Sequence, residues 1–226
     1  MDDVKRKYVL PGDVITSGPY RAEDNVHLFE DKIISTTVGI SEVFDSGVRV
    51  IPLAGVYIPR IDDFVIGKIK SHTSLSWEVD INSCYPGILP AQDVFGRDFN
   101  PKTHELTSRL KTGDLIACRI ANYDRSRDPL LTIGDRDLGK IDEGELIKIS
   151  PSKVPRLIGK RGSMIQTIEG ATKAMITIGQ NGYVVVSAEN TEGLLKALDA
   201  IRMVEDQAHV ANLTERIQEM LGSKSE

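Results

Sequence analysis

The chain has 226 residues, enough for one large domain or two to three small ones, and its 40% hydrophobic content supports packed cores. No apolar run approaches the roughly 18 residues that span a bilayer, and the opening MDDVKRKYVLPGD lacks the apolar stretch of a secretory signal, so a cytoplasmic protein without a membrane partner is expected. A net charge of −5 argues against strong stand-alone affinity for nucleic acid, which usually needs a basic chain.

Residues 1–60 read as short strands split by turns. Pro11-Gly12-Asp13, Ser17-Gly18-Pro19 and Asp45-Ser46-Gly47 are the turn signals. Lys32 to Val38 and Gly47 to Pro52 alternate apolar and polar positions, as half-buried strands do. A small antiparallel sheet or barrel is expected here. With seven bases against nine acids and no nucleic-acid motif, this unit is assigned to docking by exclusion.

Residues 61–138 read as a second all-β unit. Its strands are Phe64 to Ile69, Trp77 to Ile81, Ile88-Leu89, Leu115 to Ala121 and Leu130 to Ile133, with a polar excursion before the fourth. Five strands with an irregular insert fit an OB-type barrel. Asp62 to Ile69, Pro86 to Val94 and Leu110 to Asp114 resemble segments of the S1 RNA-binding domain. The resemblance departs where that family favours aromatics and a histidine: Leu75, Glu78 and Pro90 stand there, and Trp77 alternates with Val79 and Ile81 as a core residue would. Charge remains. Arg97, Lys102, Arg109, Lys111, Arg119, Arg125 and Arg127 outnumber four acids over the same span. Singly, each reads equally well as a solvated surface base; as a set they suit a funnel that tracks phosphates.

Residues 139–226 carry the most informative motif. Gly159-Lys160-Arg161-Gly162 lies between the apolar Leu157-Ile158 and a run, Met164, Ile165 and Ile168, at helical spacing. Glycines without Cβ let a sugar-phosphate chain approach, a helix N-terminus offers free N–H groups, and the two bases add charge. A strand near Glu145 to Ser150 precedes the motif. Strands Ala174 to Ile178 and Tyr183 to Ala188, joined by Gln180-Asn181-Gly182, follow it, then a helix from about Thr191. This order resembles the KH module, a clamp for single-stranded RNA or DNA. From Lys148 to Lys173 six bases, among them Lys153 and Arg156, face one acid, Glu169. Leu157, Ile158, Ile165, Ile176 and Ile178 suit an apolar groove and suit core packing equally. Ala211 to Leu221 places Leu213, Ile217, Met220 and Leu221 on one face, expected to pack back on the KH helix, and Ser223 to Glu226 reads as a frayed end.

The expected fold is therefore α+β and multidomain: a small N-terminal β domain, an S1-type OB-fold barrel and a C-terminal KH domain. That order, with Pro11 to Ile15 and Val50 to Pro59, resembles the S1/KH-type RNA-binding cap subunit of the archaeal exosome over essentially the whole chain. The resemblance implies a non-catalytic subunit, three copies of which sit on a hexameric ring of phosphorolytic ribonuclease subunits and hold single-stranded RNA. A stand-alone transcription or translation regulator is the second reading, though relatives of that kind pair S1 with two KH copies. A nuclease built on Asp135 and Asp137 is the third; metal-dependent cleavage needs more carboxylates than one such pair. No cofactor or metal is expected. Cys84 and Cys118 form no CxxC pair and read as buried thiols, and His27, His72, His104 and His209 are not spaced as a ligand cluster.

Overall fold

The computed structural model describes residues 5–96, 98–124, 126–208, 210 and 212–222. They form two compact units, one ending at Gly55 and one beginning at Val56. The expected frayed end, Ser223 to Glu226, lies outside the described residues.

The first unit contains β1 (Lys5–Val9), β2 (Val14–Ser17), β3 (Arg21–Ala22), β4 (Val26–Phe29), β5 (Lys32–Ser35), β6 (Gly39–Val43) and β7 (Gly47–Pro52). One sheet has the order β1-β6-β7-β3 and the other β2-β5-β4. The Asp13 carboxylate accepts the Leu10 N–H at 2.8 Å and fixes the first turn. The strand expected over Lys32 to Val38 stops at Ser35, whose hydroxyl donates to the Thr37 carbonyl at 2.7 Å. A local bond of this kind draws the backbone out of the ladder.

Val9, Ser41, Val48 and Val50 are buried on one face of the larger sheet. The alternate positions set Arg6, Glu42 and Arg49 side by side across β1, β6 and β7. Glu42 is 3% exposed and lies 2.8 Å from a guanidinium nitrogen of each arginine. Burial works to raise its pKa, but hydrogen bonds from Arg49 and Arg6 outweigh burial and hold the carboxyl below its usual range. Two positions along, the same register aligns Tyr8, Ile40 and Ile51, of which Tyr8 and Ile51 are exposed.

The second unit begins with a barrel of β8 (Phe64–His72), β9 (Ser76–Asp80), β10 (Gly87–Pro90), β11 (Leu115–Asn122) and β12 (Leu130–Thr132). The short helix α1 (Ala91–Phe95) lies between β10 and β11. β12 pairs with β10 in parallel and with β11 antiparallel, which closes five strands into the expected OB-type barrel. A further strand, β13 (Gly139–Ile141), pairs with the outer side of β11. Trp77 is fully buried and its indole N–H donates to the Leu110 carbonyl at 3.1 Å, so the ring is core. Cys118 is buried, and burial pushes its thiol pKa up to about 12. Cys84 departs from expectation: it is exposed, in the loop from Asn82 to Pro86 that leads into β10.

The remaining elements are β14 (Glu145–Lys148), α2 (Val154–Ile158), α3 (Ser163–Thr172), β15 (Ala174–Ile178), β16 (Tyr183–Ala188), α4 (Thr191–Gln207) and α5 (Leu213–Leu221). The sheet order is β14-β16-β15. The Asn190 side chain caps α4 by accepting the Gly193 N–H. Leu213 and Ile217 of α5 are fully buried in the same core as α2, α3 and α4, as their spacing predicts.

The β15–β16 loop joins this module to the barrel. Asn181 is fully buried. Its amide donates to the Ile66 carbonyl at 2.7 Å and the Ile81 carbonyl at 2.8 Å, and its side-chain oxygen accepts the Ile66 N–H at 3.3 Å. Gln180 continues the pairing: its N–H donates to the Phe64 carbonyl at 2.9 Å, and its side chain accepts the Phe64 N–H at 2.7 Å. The loop thus occupies backbone groups of β8 that no neighbouring strand pairs. Gly182 must be glycine, because its φ is +82° and a Cβ there would lie 2.3 Å from the Ile149 carbonyl oxygen. Ile66, Tyr183 and Val185 pack together at this joint. The Tyr183 hydroxyl donates to Asp80 at 3.2 Å; burial first, then the Asp80 charge, pushes its pKa up to about 12, so it stays a donor.

Candidate nucleic-acid interface

The loop between α2 and α3 is shaped by two glycines. Gly159 has φ 74° and ψ 176°, a region essentially reserved for glycine, and a Cβ there would lie 2.8 Å from the Met164 backbone nitrogen. Gly162 is left-handed at φ 82° and ψ 8°. Between them Arg161 is also left-handed, at φ 55° and ψ 31°, a strained setting for a side-chain-bearing residue. The Gly162 N–H reaches the Gly159 carbonyl at 3.3 Å, closing a tight elbow. Lys160 and Arg161 both stand exposed at its tip. The elbow runs straight into α3, whose N-cap is Gly162 and therefore supplies no capping side chain. The first-turn N–H groups and the positive end of the helix dipole lie beside the two bases.

Apolar side chains flank the elbow in sequence, Ile158 before it and Ile165 after it. Ile158 is 38% exposed, and Ile165 and Ile178 are half-buried. Leu157 and Ile176 belong to the core instead. β15 is an outer strand of its sheet. On its open edge the Ile176 N–H donates to a carboxylate oxygen of Glu169 on α3, at 2.9 Å.

The other expected bases are placed differently from one another. The half-buried Lys153 directs its ammonium to the Glu205 carbonyl at 2.7 Å, at the far end of α4. Arg156 is exposed and reaches the Val210 carbonyl at 3.4 Å. On the barrel, Lys111 and Arg127 are exposed in loops that their own backbones tie to Asp114 and Asp124. Arg119 donates to the Asp62 carbonyl at 3.0 Å and pairs with Asp135 at 3.4 Å. That pairing gives Asp135 a structural partner and weakens the nuclease reading. Arg97 and Arg125 lie outside the described residues. Among the described residues, no group of three or more His, Cys, Asp or Glu is arranged to hold a metal ion. None of the helices described is long and apolar enough to cross a membrane.

Two features of these surfaces escaped sequence reasoning. Tyr85 and Tyr123 approach with ring centroids 5.5 Å apart, where the loops before β10 and β12 meet. Their separation in sequence gave no signal. Glu169 did give one, as the lone acid in a basic segment, but its bond to Ile176 depends on the fold.

Comparison with known proteins agrees with this architecture. Residues 6–54 match the exosome RNA-binding protein RRP4 N-terminal domain, residues 57–143 the S1 domain of exosome complex component RRP40, and residues 144–203 the KH domain. The S1 and KH domains are RNA-binding modules rather than catalytic domains. The chain is 69% identical to exosome complex component Rrp4 of Nitrosopumilus maritimus over 222 residues, covering 98% of each. It is 41% identical to the Rrp4 of Thermosphaera aggregans over 228 residues, covering 97% of this chain and 92% of the relative. A crystal structure of a putative exosome complex RNA-binding protein superposes with a TM-score of 0.71 at 39% identity, covering 74% of this chain and 96% of that one. With an N-terminal domain, a barrel and a KH fold that match in order and nearly from end to end, the chain belongs to the Rrp4 family of RNA-binding exosome components.

Proposed function

We propose that this protein captures single-stranded RNA and delivers its 3′ end to a hexameric ring of phosphorolytic 3′–5′ exoribonuclease subunits, on which three copies sit in the cytoplasm. The observation that carries this reading is the elbow. Two exposed bases at a helix N-terminus, held by glycines that leave the backbone open, suit the phosphates of an extended strand. Gly159, Lys160, Arg161 and Gly162 make the primary contact, with Arg156 and Ile158 beside it. Lys153 adds its charge to the same segment. Lys111, Arg119 and Arg127, together with Arg97 and Arg125, guide the strand over the barrel. Copies of modest affinity on one ring combine through effective concentration, which reconciles RNA capture with a net charge of −5.

Docking falls to the first unit. The aligned Tyr8 and Ile51 are exposed apolar side chains on one face of the larger sheet, and Leu10 and Leu53, just past the ends of β1 and β7, are exposed as well. The match of residues 6–54 to an exosome N-terminal domain favours a ring subunit over a free-standing regulator. Reconstitution with the ring subunits tests both halves. Tyr8→Glu with Ile51→Glu should abolish co-elution with the ring. Lys160→Glu with Arg161→Glu should leave co-elution intact and reduce RNA retention by the assembly. Full RNA retention in the second variant contradicts the proposal.

A further inference from the structure

The barrel positions at which S1 domains favour aromatics and a histidine hold Leu75, Glu78 and Pro90 here. Two tyrosines meet instead at the opposite end of β10 from Pro90. Tyr85 precedes β10 and Tyr123 follows β11, with ring centroids 5.5 Å apart and planes at 58°. Rings at that tilt do not cover each other as a stacked pair would, and both side chains are half-buried, so aromatic surface stays open to a ligand. The loop from Tyr123 to Pro129 carries Arg125 and Arg127 against Asp124 and Asp128, so its formal charges cancel. Asp124 is turned into its own loop: it accepts the Ser126 N–H at 2.9 Å, the Ser126 hydroxyl at 2.8 Å and the Arg127 N–H at 3.2 Å. What this end of the barrel adds for a strand is ring surface rather than net charge.

The same barrel end seats the KH hairpin. Asn82, three residues before Tyr85, donates its side-chain amide to the Asn181 carbonyl. Gly182 lies against Pro151, whose Cδ would be 3.3 Å from a Cβ there. From Pro151 the chain reaches Gly159 through a 3-10 turn and α2, about 12–16 Å at 1.5–2.0 Å per residue. From Asn82 it reaches Tyr85 within about 10 Å. Elbow and tyrosines are thus each tied to one joint by a short stretch of chain, and a single extended strand can engage both. We propose that Tyr85 and Tyr123 form a base-stacking platform for the strand held at the elbow. Every base has a π-face, so the contact is indifferent to sequence. The inference rests on the elbow holding RNA as described above.

Fluorescence anisotropy of the full chain with a 5′-labelled RNA of about 12 nucleotides, measured across a salt series, tests it. Tyr85→Leu with Tyr123→Leu should weaken binding at least about fivefold, the lower end for one stacked base, and leave the slope of log K against log salt unchanged. Tyr85→Phe with Tyr123→Phe keeps the ring faces and should bind as the wild type does. Tyr123 packs on the barrel core, so if the leucine pair melts lower, Tyr85→Leu alone should still weaken binding and Tyr85→Phe should not. Lys160→Ala with Arg161→Ala should weaken binding and flatten the slope. Wild-type affinity in the leucine variants, or an equal loss in the phenylalanine variants, overturns the platform. A slope flattened by the leucine variants marks a phosphate contact and overturns it as well. Unchanged affinity and slope in the elbow variant overturn the clamp instead.

Discussion

Replacing Asn181 with alanine removes the side chain that ties the KH hairpin to the barrel. Three hydrogen bonds disappear, to the Ile66 carbonyl, the Ile81 carbonyl and the Ile66 N–H, all at a fully buried position. A buried polar group left without a partner costs about 1–3 kcal/mol, and partial relaxation puts the three together at about 3–5 kcal/mol. For a unit of this size 1 kcal/mol moves Tm by roughly 2–4 °C, so the melting transition of the second unit should fall by about 10 °C. Scanning calorimetry on the full chain, with fluorescence of the lone Trp77 reporting on the barrel, measures it. Asn181→Asp sharpens the test. An aspartate keeps the shape but only accepts, and at neutral pH it would set a charge against two carbonyl oxygens. It should melt below Asn181→Ala. An alanine variant within about 2 °C of wild type, corresponding to less than 1 kcal/mol, would refute the reasoning.

Glu42→Gln should destabilise the first unit by about 1–2 kcal/mol, a modest figure because Arg6 and Arg49 are exposed enough to regain water. The folded Glu42 carboxyl lies below its ordinary value of 4.5, so its contribution is complete above about that pH and is lost as pH falls through the lower folded value. Urea unfolding across acidic pH should show a fall in wild-type stability that flattens in Glu42→Gln; identical profiles would show that the Arg6–Glu42–Arg49 set contributes nothing. Ile217→Ala should cost about 2–4 kcal/mol in thermal unfolding, as for a fully buried aliphatic, if α5 is part of the KH core. A loss below about 0.5 kcal/mol, the range of ordinary surface substitutions, would mark α5 as an appendage.

The strands of the KH module were legible because pattern and punctuation agree there. Alternation marks Ala174–Ile178 and Tyr183–Ala188, and Asn-Gly marks the turn between them. The GxxG elbow was legible because its glycines are required locally, by backbone angles and by the closeness of Met164. α1 was not, since five residues entered through Pro90 with no side-chain cap give neither period nor boundary. Nor was β13, a three-residue strand whose pairing with β11 is long-range. Asn181 could be read as a turn residue, but its second role depends on Ile66, 115 positions away. Lys153 shows the same limit at a base. Its charge is visible in the sequence, whereas the Glu205 carbonyl that receives its ammonium is set by how α2 and α4 pack.

The claim on which the functional account depends is that Lys160 and Arg161 neutralise RNA phosphates. The direct measurement is the salt dependence of RNA affinity for the wild type and for Lys160→Ala with Arg161→Ala. On a single strand each phosphate contact contributes about 0.7 to the slope of log K against log salt, so losing two should flatten the slope by roughly 1.4 while weakening binding. Equal slopes and equal affinities for the two proteins would contradict it.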